Sequence, residues 1–435
     1  MTKTKSGTNT FVYAHWLGME APVMMGILKA TPNRGNLIFS FSYDDKWLKR
    51  KDSFYLDPNL QLYSGPQYPS AEKQNFGIFL DSSPDRWGKL LMRRREAAFA
   101  RIENRKEKQL TELDYLLGVF DGHRMGALRF KLNEDGSFLN DNKQMASPPW
   151  TSLRDLEYAS LQLEKDDVID DPEYMKWLTI LVAPGTSLGG ARPKASVINP
   201  KEELWIAKFP SGNDERNIGG WEKVTHTLAG MAGITMSDAH AQRFNSKHHT
   251  FLNKRFDRTN IGERIHFASA MTLLGYNDGA DYKEGVSYLE LAEFIARHGA
   301  KADTDIKQLW RRIVFYMCIS NTDDHLRNHG FLLTDRGWIL SPAYDVNPEP
   351  LNKGLTLNVS ETDNSLNLDL AREVAESFRL NEEEAEAIIS EVTNAVSQWR
   401  DIANSLQISR EEQEAMSTAF LRDGINTRYE IFKKR

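Results

Sequence analysis

Cysteine is nearly absent. Cys318 is the only one in 435 residues, so no internal disulfide can form, and a chain built this way is expected in a reducing compartment, with the cytoplasm as its address. An excess of positive charge is also missing: 55 Lys and Arg stand against 61 Asp and Glu, a formal charge of −6, which leaves no global cationic field to hold a nucleic acid backbone. No stretch approaches the roughly 20 apolar residues that cross a bilayer. The nearest run, 313–319, is flanked by Arg311, Arg312, Asp323 and Asp324, so no membrane association is expected. The opening MTKTKSGTNT is polar, and His15 and Glu20 break the apolar stretch after it; no secretion signal is expected. Repeats and low-complexity tracts are lacking as well. What remains is 40% apolar, 10% aromatic and 27% charged, an ordinary globular balance with chain enough for two or three domains.

Three β-prone runs, 11–18, 23–30 and 36–43, predict a small antiparallel sheet at the start. Ser83-Pro84-Asp85 offers an N-cap hydroxyl, a first-turn proline and an acid, predicting a helix over 84–104. That helix carries Arg93, Arg94, Arg95, Arg101 and Arg105. They serve either an acidic partner or DNA backbone, or else a solvated face countered by Glu96, Glu103 and Glu107. A short helix is expected from Thr111, then a strand GALRFK, and the aperiodic stretch 133–150 ending in Pro-Pro marks a boundary near 145. A helix opening at Asp171-Pro172 precedes strands at 194–198, 203–209, 239–244 and 249–255, with a helix over 215–231 inserted. Beyond 266 helical periodicity dominates. Ile306, Leu309, Trp310, Ile313, Val314 and Met317 form one stripe of a buried helix over 304–320. A two-stranded element at 330–340 follows, then helices over 367–379, 381–404 and 409–431.

Chemistry concentrates in three segments. Residues 185–194 (GTSLGGARPK) form a glycine-rich loop: Gly189 and Gly190 let the backbone approach a phosphate, with Arg192 or Lys194 supplying charge, although such loops are also plain turns. Lys208 lies inside the apolar strand LWIAKFP, either as an edge-strand device or as a cation aimed at an anion. Glu222 on the next helix favours the second reading, since a strand lysine paired with a helix glutamate is how kinases hold ATP phosphates. The third segment is 321–330, NTDDHLRNHG, followed by SPAYD at 341–345. Asp323 and Asn328 are spaced D-x-x-x-x-N, as in a kinase catalytic loop, and Asp345 arrives after a hairpin where a second magnesium carboxylate belongs. Other readings stay open here. Asp324 could be the base with the spacing one short. His325 and His329 at i, i+4 could suggest zinc, though without H-E-x-x-H. Ser187 could be a nucleophile, though without the G-x-S-x-G frame. His248-His249 reads as a solvated turn.

Taken together, S-L-G-G-A-R-P-K, W-I-A-K-F-P, R-F-D-R, N-T-D-D-H-L-R-N-H-G-F and L-S-P-A-Y-D, in that order, resemble the HipA family of bacterial serine/threonine kinases, the toxin halves of type II toxin–antitoxin pairs. S-P-D-R-W-G at 83–88 and F-D-G-H-R-M-G-A-L at 120–128 resemble that family's β-rich N-terminal part. The resemblance implies an α/β (α+β) two-lobed protein-kinase-like fold: an N-terminal β-rich domain over 1–145, a kinase N-lobe-like segment over 146–258 and an all-helical C-terminal lobe over 259–435. It implies Asp323 as catalytic base with His325 holding the loop, Asn328 and Asp345 as Mg2+ ligands, and Lys208 on the ATP phosphates. Gly189, Gly190 and Lys194 would belong to the phosphate loop, Lys254 to Phe256 to the adenine hinge, and Asp257 would lie near the ribose. Ser187 would be the autophosphorylation site that silences the enzyme, by repulsion between added phosphate and nucleotide. The implied partners are a helix-turn-helix antitoxin of HipB type, DNA only through that antitoxin, and a protein substrate such as glutamyl-tRNA synthetase, an aminoacyl-tRNA synthetase. Tyr344-Asp345-Val346 departs from D-F-G, so activation-loop phosphorylation is not implied. A catalytically quiet kinase-fold subunit and a small-molecule kinase are the alternatives.

Overall fold

The computed structural model describes residues 7–50, 53–165, 168–182, 190, 192–350 and 354–420. The chain divides into two compact units: 1–213 with 252–277 and 332–335, and 214–251 with 278–331 and 336–435.

In the first unit, β1 (Thr8–Ala14), β2 (Val23–Asn33), β3 (Asn36–Tyr43) and β4 (Leu128–Lys131) form an antiparallel sheet in the order β3-β2-β1-β4. Its alternation is legible in β3, where Phe39, Phe41 and Tyr43 point inward and Ile38 and Ser40 do not. Helix α1 (Arg86–Ile102) starts two residues later than the hydroxyl suggests. Asp85 is the cap, its Oδ1 accepting from Gly88 N at 2.8 Å, while Ser83 Oγ donates to Phe79 O at 2.8 Å. A carboxylate on a helix N-terminus gains from the dipole as well as the bond, and here it displaces the serine. Helix α2 (Glu112–Gly118) carries a full capping box between Thr111 and Asp114. Helices α3 (Leu153–Leu163) and α4 (Tyr174–Val182) pack together before β5 (Lys194–Ile198) and β6 (Leu204–Lys208), which pair antiparallel with Lys194 opposite Lys208.

The chain then leaves this unit, forms α5 (Ile218–Met231) and β7 (Ala239–Gln242), and returns along β8 (Thr250–Lys254) to β9 (Phe267–Ser269). In the second unit α6 (Tyr288–His298) packs on α7 (Ala302–Ile319). The predicted apolar stripe of α7 is buried, and from Arg312 to Ile319 the helix is buried on every side. Within it Arg312 donates to Ser341 O, and Trp310 Nε1 to Ala371 O at 3.0 Å. Strands β10 (Gly330–Thr334) and β11 (Gly337–Leu340) fall where the two-stranded element is predicted. The predicted helix 367–379 is α8 (Leu368–Glu373) plus a 3-10 turn. The predicted 381–404 is two helices, α9 (Glu382–Ser397) and α10 (Trp399–Ser405), and α11 (Arg410–Met416) ends the described helices. The His248-His249 turn is not solvated: both rings are buried, and His249 Nδ1 lies 2.7 Å from Asn217 Nδ2, the side chain that caps α5.

Buried ions hold the first unit together. Arg124 is wholly buried, and its guanidinium donates to Ser82 O, Leu116 O, Val119 O and Leu139 O at 2.7–3.0 Å. One side chain thus ties together four carbonyls from separate stretches of the unit. Arg124→Ala should lower the unfolding free energy by about 3 kcal/mol or more, read from urea denaturation. Acid should act through the histidines. Burial is the leading cause that lowers the pKa of His123 and His266 to about 3 and of His226 and His249 to about 4. The unfolded chain protonates these rings near the ordinary value of about 6.5. Stability is therefore full above that pH and lost as pH falls toward about 4, so the urea midpoint should be lower at pH 5 than at pH 7.

Candidate active site

The candidate nucleotide-binding residues other than Glu222 belong to the first unit. Ser187 and Gly189 lie outside the described residues. Gly190 adopts φ +93°, a conformation that favours glycine, and its carbonyl accepts from Lys194 Nζ at 3.2 Å. Lys194 is itself buried, with Nζ 2.7 Å from Asp85 Oδ2. Trp87 Nε1 donates to the Lys194 carbonyl at 3.1 Å. The S-P-D-R-W-G and A-R-P-K motifs therefore meet each other: Asp85 caps α1 with one oxygen and neutralises Lys194 with the other. Lys208 is half-buried at the end of β6.

The R-F-D-R segment is built around a carboxylate. Asp257 is wholly buried, and its oxygens accept from Arg255 Nε and Nη2, Arg258 Nη1 and Gly126 N at 2.6–2.8 Å. Burial works against its charge and the two guanidiniums outweigh it, so its pKa is held down to about 2. The same arginines reach the backbone of the 120–128 motif, Arg255 to His123 O at 2.6 Å and Arg258 to Arg124 O at 2.7 Å. Gly126 takes φ +70°, with Phe267 N within 3.1 Å of where a Cβ would stand. Asp257 is thus committed to its own chain. Lys254 pairs with Glu203 at 2.6 Å, and the half-buried Phe256 ring lies 5.9 Å from Phe267.

The catalytic-loop candidates belong to the second unit. Ser320 caps α7 in the left-handed region, φ +53°, and turns the chain into 321–329. Two adjacent acids then part. Asp324 is buried, its Oδ2 accepting from Tyr288 OH at 2.6 Å and lying 2.7 Å from His329 Nε2. Asp323 is exposed. This separates the two candidate bases, with Asp324 serving the loop's interior. Partial desolvation holds the Asp323 carboxyl above the ordinary carboxylate range; Asp345, Asp324 and Glu349 add to the effect, and His325 opposes it.

Asn328 is buried, and its Nδ2 donates to Asp323 O at 3.0 Å, while its Oδ1 has no hydrogen-bond partner among the described residues. Asp345 is half-buried at φ +56°, with Oδ1 accepting from Asn347 Nδ2 at 3.2 Å. Left-handed backbone at a non-glycine residue is costly and persists where neighbours enforce it. They do so here: Asn347 N donates to Asn321 Oδ1, Tyr344 OH to Arg327 O and Glu349 N to Ser320 O, at 2.7–3.2 Å. These bonds lace 344–349 to 320–327 and gather Asp323, His325, Asn328 and Asp345. An orphaned amide oxygen beside a carboxylate is the hard-oxygen chemistry that Mg2+ accepts. Among the described residues no three His, Cys, Asp or Glu side chains form a metal-holding cluster, so a zinc site has no support there. Glu222 is buried on α5, and Thr225 Oγ1, one turn on, donates to Val346 O at 2.5 Å. Tyr288 as a loop support is not visible in the sequence motifs, because its partner lies 36 residues away, whereas His329 stands inside the 321–330 motif five residues from that partner.

The two acids should separate under mutation. Asp324→Ala leaves a buried tyrosine hydroxyl and imidazole without their acceptor and should cost about 2–4 kcal/mol by urea denaturation. Asp323→Asn should change stability by less than about 0.5 kcal/mol.

Residues 186–399 match the HipA-like C-terminal domain family. A putative kinase of Haemophilus influenzae is 27% identical over 187 residues, 38% of this chain and 54% of that protein. The serine/threonine-protein kinase toxin HipA of Shewanella oneidensis is 26% identical over 266 residues, 54% of this chain and 59% of that protein. The matches span little more than half the length of these curated relatives. A solved structure of the Shewanella oneidensis MR-1 HipA, HipB and operator DNA complex matches with a TM-score of 0.62 and 19% identity, over 94% of each chain, which shows the same mixed α/β fold. No described helix is long and apolar enough to cross a membrane. The matched domain places residues 186–399 with the HipA-like C-terminal domains, and over the whole chain the two relatives and the common fold are a similarity to HipA-type proteins.

Proposed function

We propose that this chain is an ATP- and Mg2+-dependent serine/threonine protein kinase. The observation that carries the reading is the exposed, raised-pKa Asp323 anchored through its own carbonyl by Asn328, whose side-chain oxygen is left over. Asn328 Oδ1 and the Asp345 carboxylate would hold Mg2+, which when bound neutralises phosphate charge. Asp323 accepts the proton of the attacking hydroxyl as its oxygen bonds to the γ-phosphorus and the bond to the ADP oxygen breaks. A carboxyl held above the usual range is a stronger base than an ordinary aspartate. His325 supports the loop through its backbone, its carbonyl accepting from Asn328 N at 2.8 Å. By the resemblance, Lys208 and the backbone around Gly189 and Gly190 are assigned to the ATP phosphates and the 254–256 backbone to the adenine.

The acceptor is proposed to be a serine or threonine of a cytoplasmic protein, a translation component such as glutamyl-tRNA synthetase, with Ser187 as the site of autophosphorylation. A HipB-type antitoxin is the proposed partner, by analogy with the Shewanella complex, and DNA is reached only through it. The net charge of −6 fits that division.

Purified protein incubated with ATP and Mg2+ should gain phosphate on Ser187, located by mass spectrometry. Asp323→Asn should slow the transfer by about a hundredfold or more, the usual weight of a general base. Full transfer by Asp323→Asn would remove Asp323 from the reaction.

A further inference from the structure

The last described segment of the second unit does more than close the chain. Phe420 stacks on Trp399, ring centroids 4.5 Å apart and planes within 8°, and both rings lie against Trp221 at 5.9 and 6.0 Å. All three are buried. Trp221 belongs to α5 and immediately precedes Glu222. From α11, Glu412 Oε1 accepts from Asn217 N at 2.6 Å and from Trp221 Nε1 at 2.8 Å, so one carboxylate holds both the N-terminus of α5 and its tryptophan. An anion at a helix N-terminus also gains from the dipole.

The same segment reaches the catalytic loop. Ser320 Oγ, at the left-handed cap before 321–329, donates to Ala419 O at 2.8 Å. Arg216 links the two sets of contacts: Nη1 lies 3.5 Å from Met416 Sδ, and Nη2 pairs at 2.6 Å with Glu349, whose N–H donates to Ser320 O at 3.1 Å. Residues 399–420 therefore grip α5 with an aromatic sandwich and a carboxylate, and grip the start of the loop with a backbone carbonyl. Thr225, one turn after Trp221 on the same face of α5, donates to the carbonyl of Val346, next to Asp345. The candidate acid Glu222, ligand Asp345 and base Asp323 are each within three residues of a group bound directly or through α5 to this segment.

We infer that residues 399–420 are a strap that sets α5 and the 320–328 loop for phosphoryl transfer, with Trp399, Glu412 and Phe420 as positioning residues. The inference rests on the kinase reading above. Its test is amide hydrogen exchange of the full chain alongside ATP-dependent phosphate transfer, for Glu412→Ala, Phe420→Ala and the conservative Glu412→Gln. Exchange should rise over 218–224 and 320–328 in both alanine variants and stay unchanged over α6. Transfer should slow about tenfold in kcat with KM for ATP changed less than twofold, the scale on which a positioning network couples. Glu412→Gln retains an accepting oxygen and should recover most of both. Unchanged exchange over 218–224 in both alanine variants, or raised exchange with transfer at the unaltered rate, overturns the inference. Wild-type protein that binds ATP but transfers no phosphate overturns the kinase reading instead, and the exchange pattern then decides on its own whether the strap holds α5.

Discussion

Asp324 turns inward, and most of the catalytic loop follows from that. An ionisable side chain is kept in a dry interior only when the surrounding groups meet it. Tyr288 and His329 do so at 2.6 and 2.7 Å, from α6 on one side and from the far end of the loop on the other. Asp323, the residue before it, is exposed. The left-handed cap at Ser320 and the three bonds to 344–349 then bring Asp345 close enough for its charge to raise the Asp323 pKa.

The first unit obeys the same rule with more charges. Lys194 on Asp85, Arg255 and Arg258 on Asp257, and Arg124 on four carbonyls are all buried or nearly so. Buried ion pairs add little net stability over well-packed apolar groups, but removing one partner is costly, so they act as specific clamps. Each joins segments distant in sequence: 85 to 194, 126 to 257, 124 to 82 and 139. The short motifs that mark the family in the sequence are, in this unit, largely the two halves of such clamps.

Much of the architecture is legible from local pattern. The second and third strands, β5 and β6, the stripe of α7 and the two-stranded element after the loop fall where period and turn residues place them, and the first strand lies at Thr8–Ala14 against the predicted 11–18; one buried face marks β1 and β3, whereas β5 and β6 are buried on both faces. The D-x-x-x-x-N spacing likewise leads to residues that the structure gathers. What local pattern does not carry is the partner of a charge. Nothing around Ser83 shows that Asp85 takes the cap and Lys194 together. Nothing around His249 shows the Asn217 amide 2.7 Å away that draws its ring inside. The splitting of helix 381–404 at Gln398 is equally non-local, since Trp399 leaves the axis to meet Trp221 and Phe420.

A single physical criterion then sorts the charged residues that the motifs single out. Asp257, Lys194, the Arg124 Nη atoms and Asp324 Oδ2 bond to groups of their own chain, and a ligand could displace those partners only by breaking a buried bond. Asp323 has an exposed carboxyl, and Asn328 keeps an oxygen with no partner among the described residues. A folded chain retains an exposed acid of raised pKa, or an orphaned buried oxygen, against a free-energy gradient that favours satisfying it. These two groups lie on one loop, joined by the 3.0 Å bond from Asn328 to the Asp323 carbonyl. That is the ground on which the proposed chemistry is placed at this loop, while the more heavily charged cluster around Asp257 is taken up by bonds within the chain.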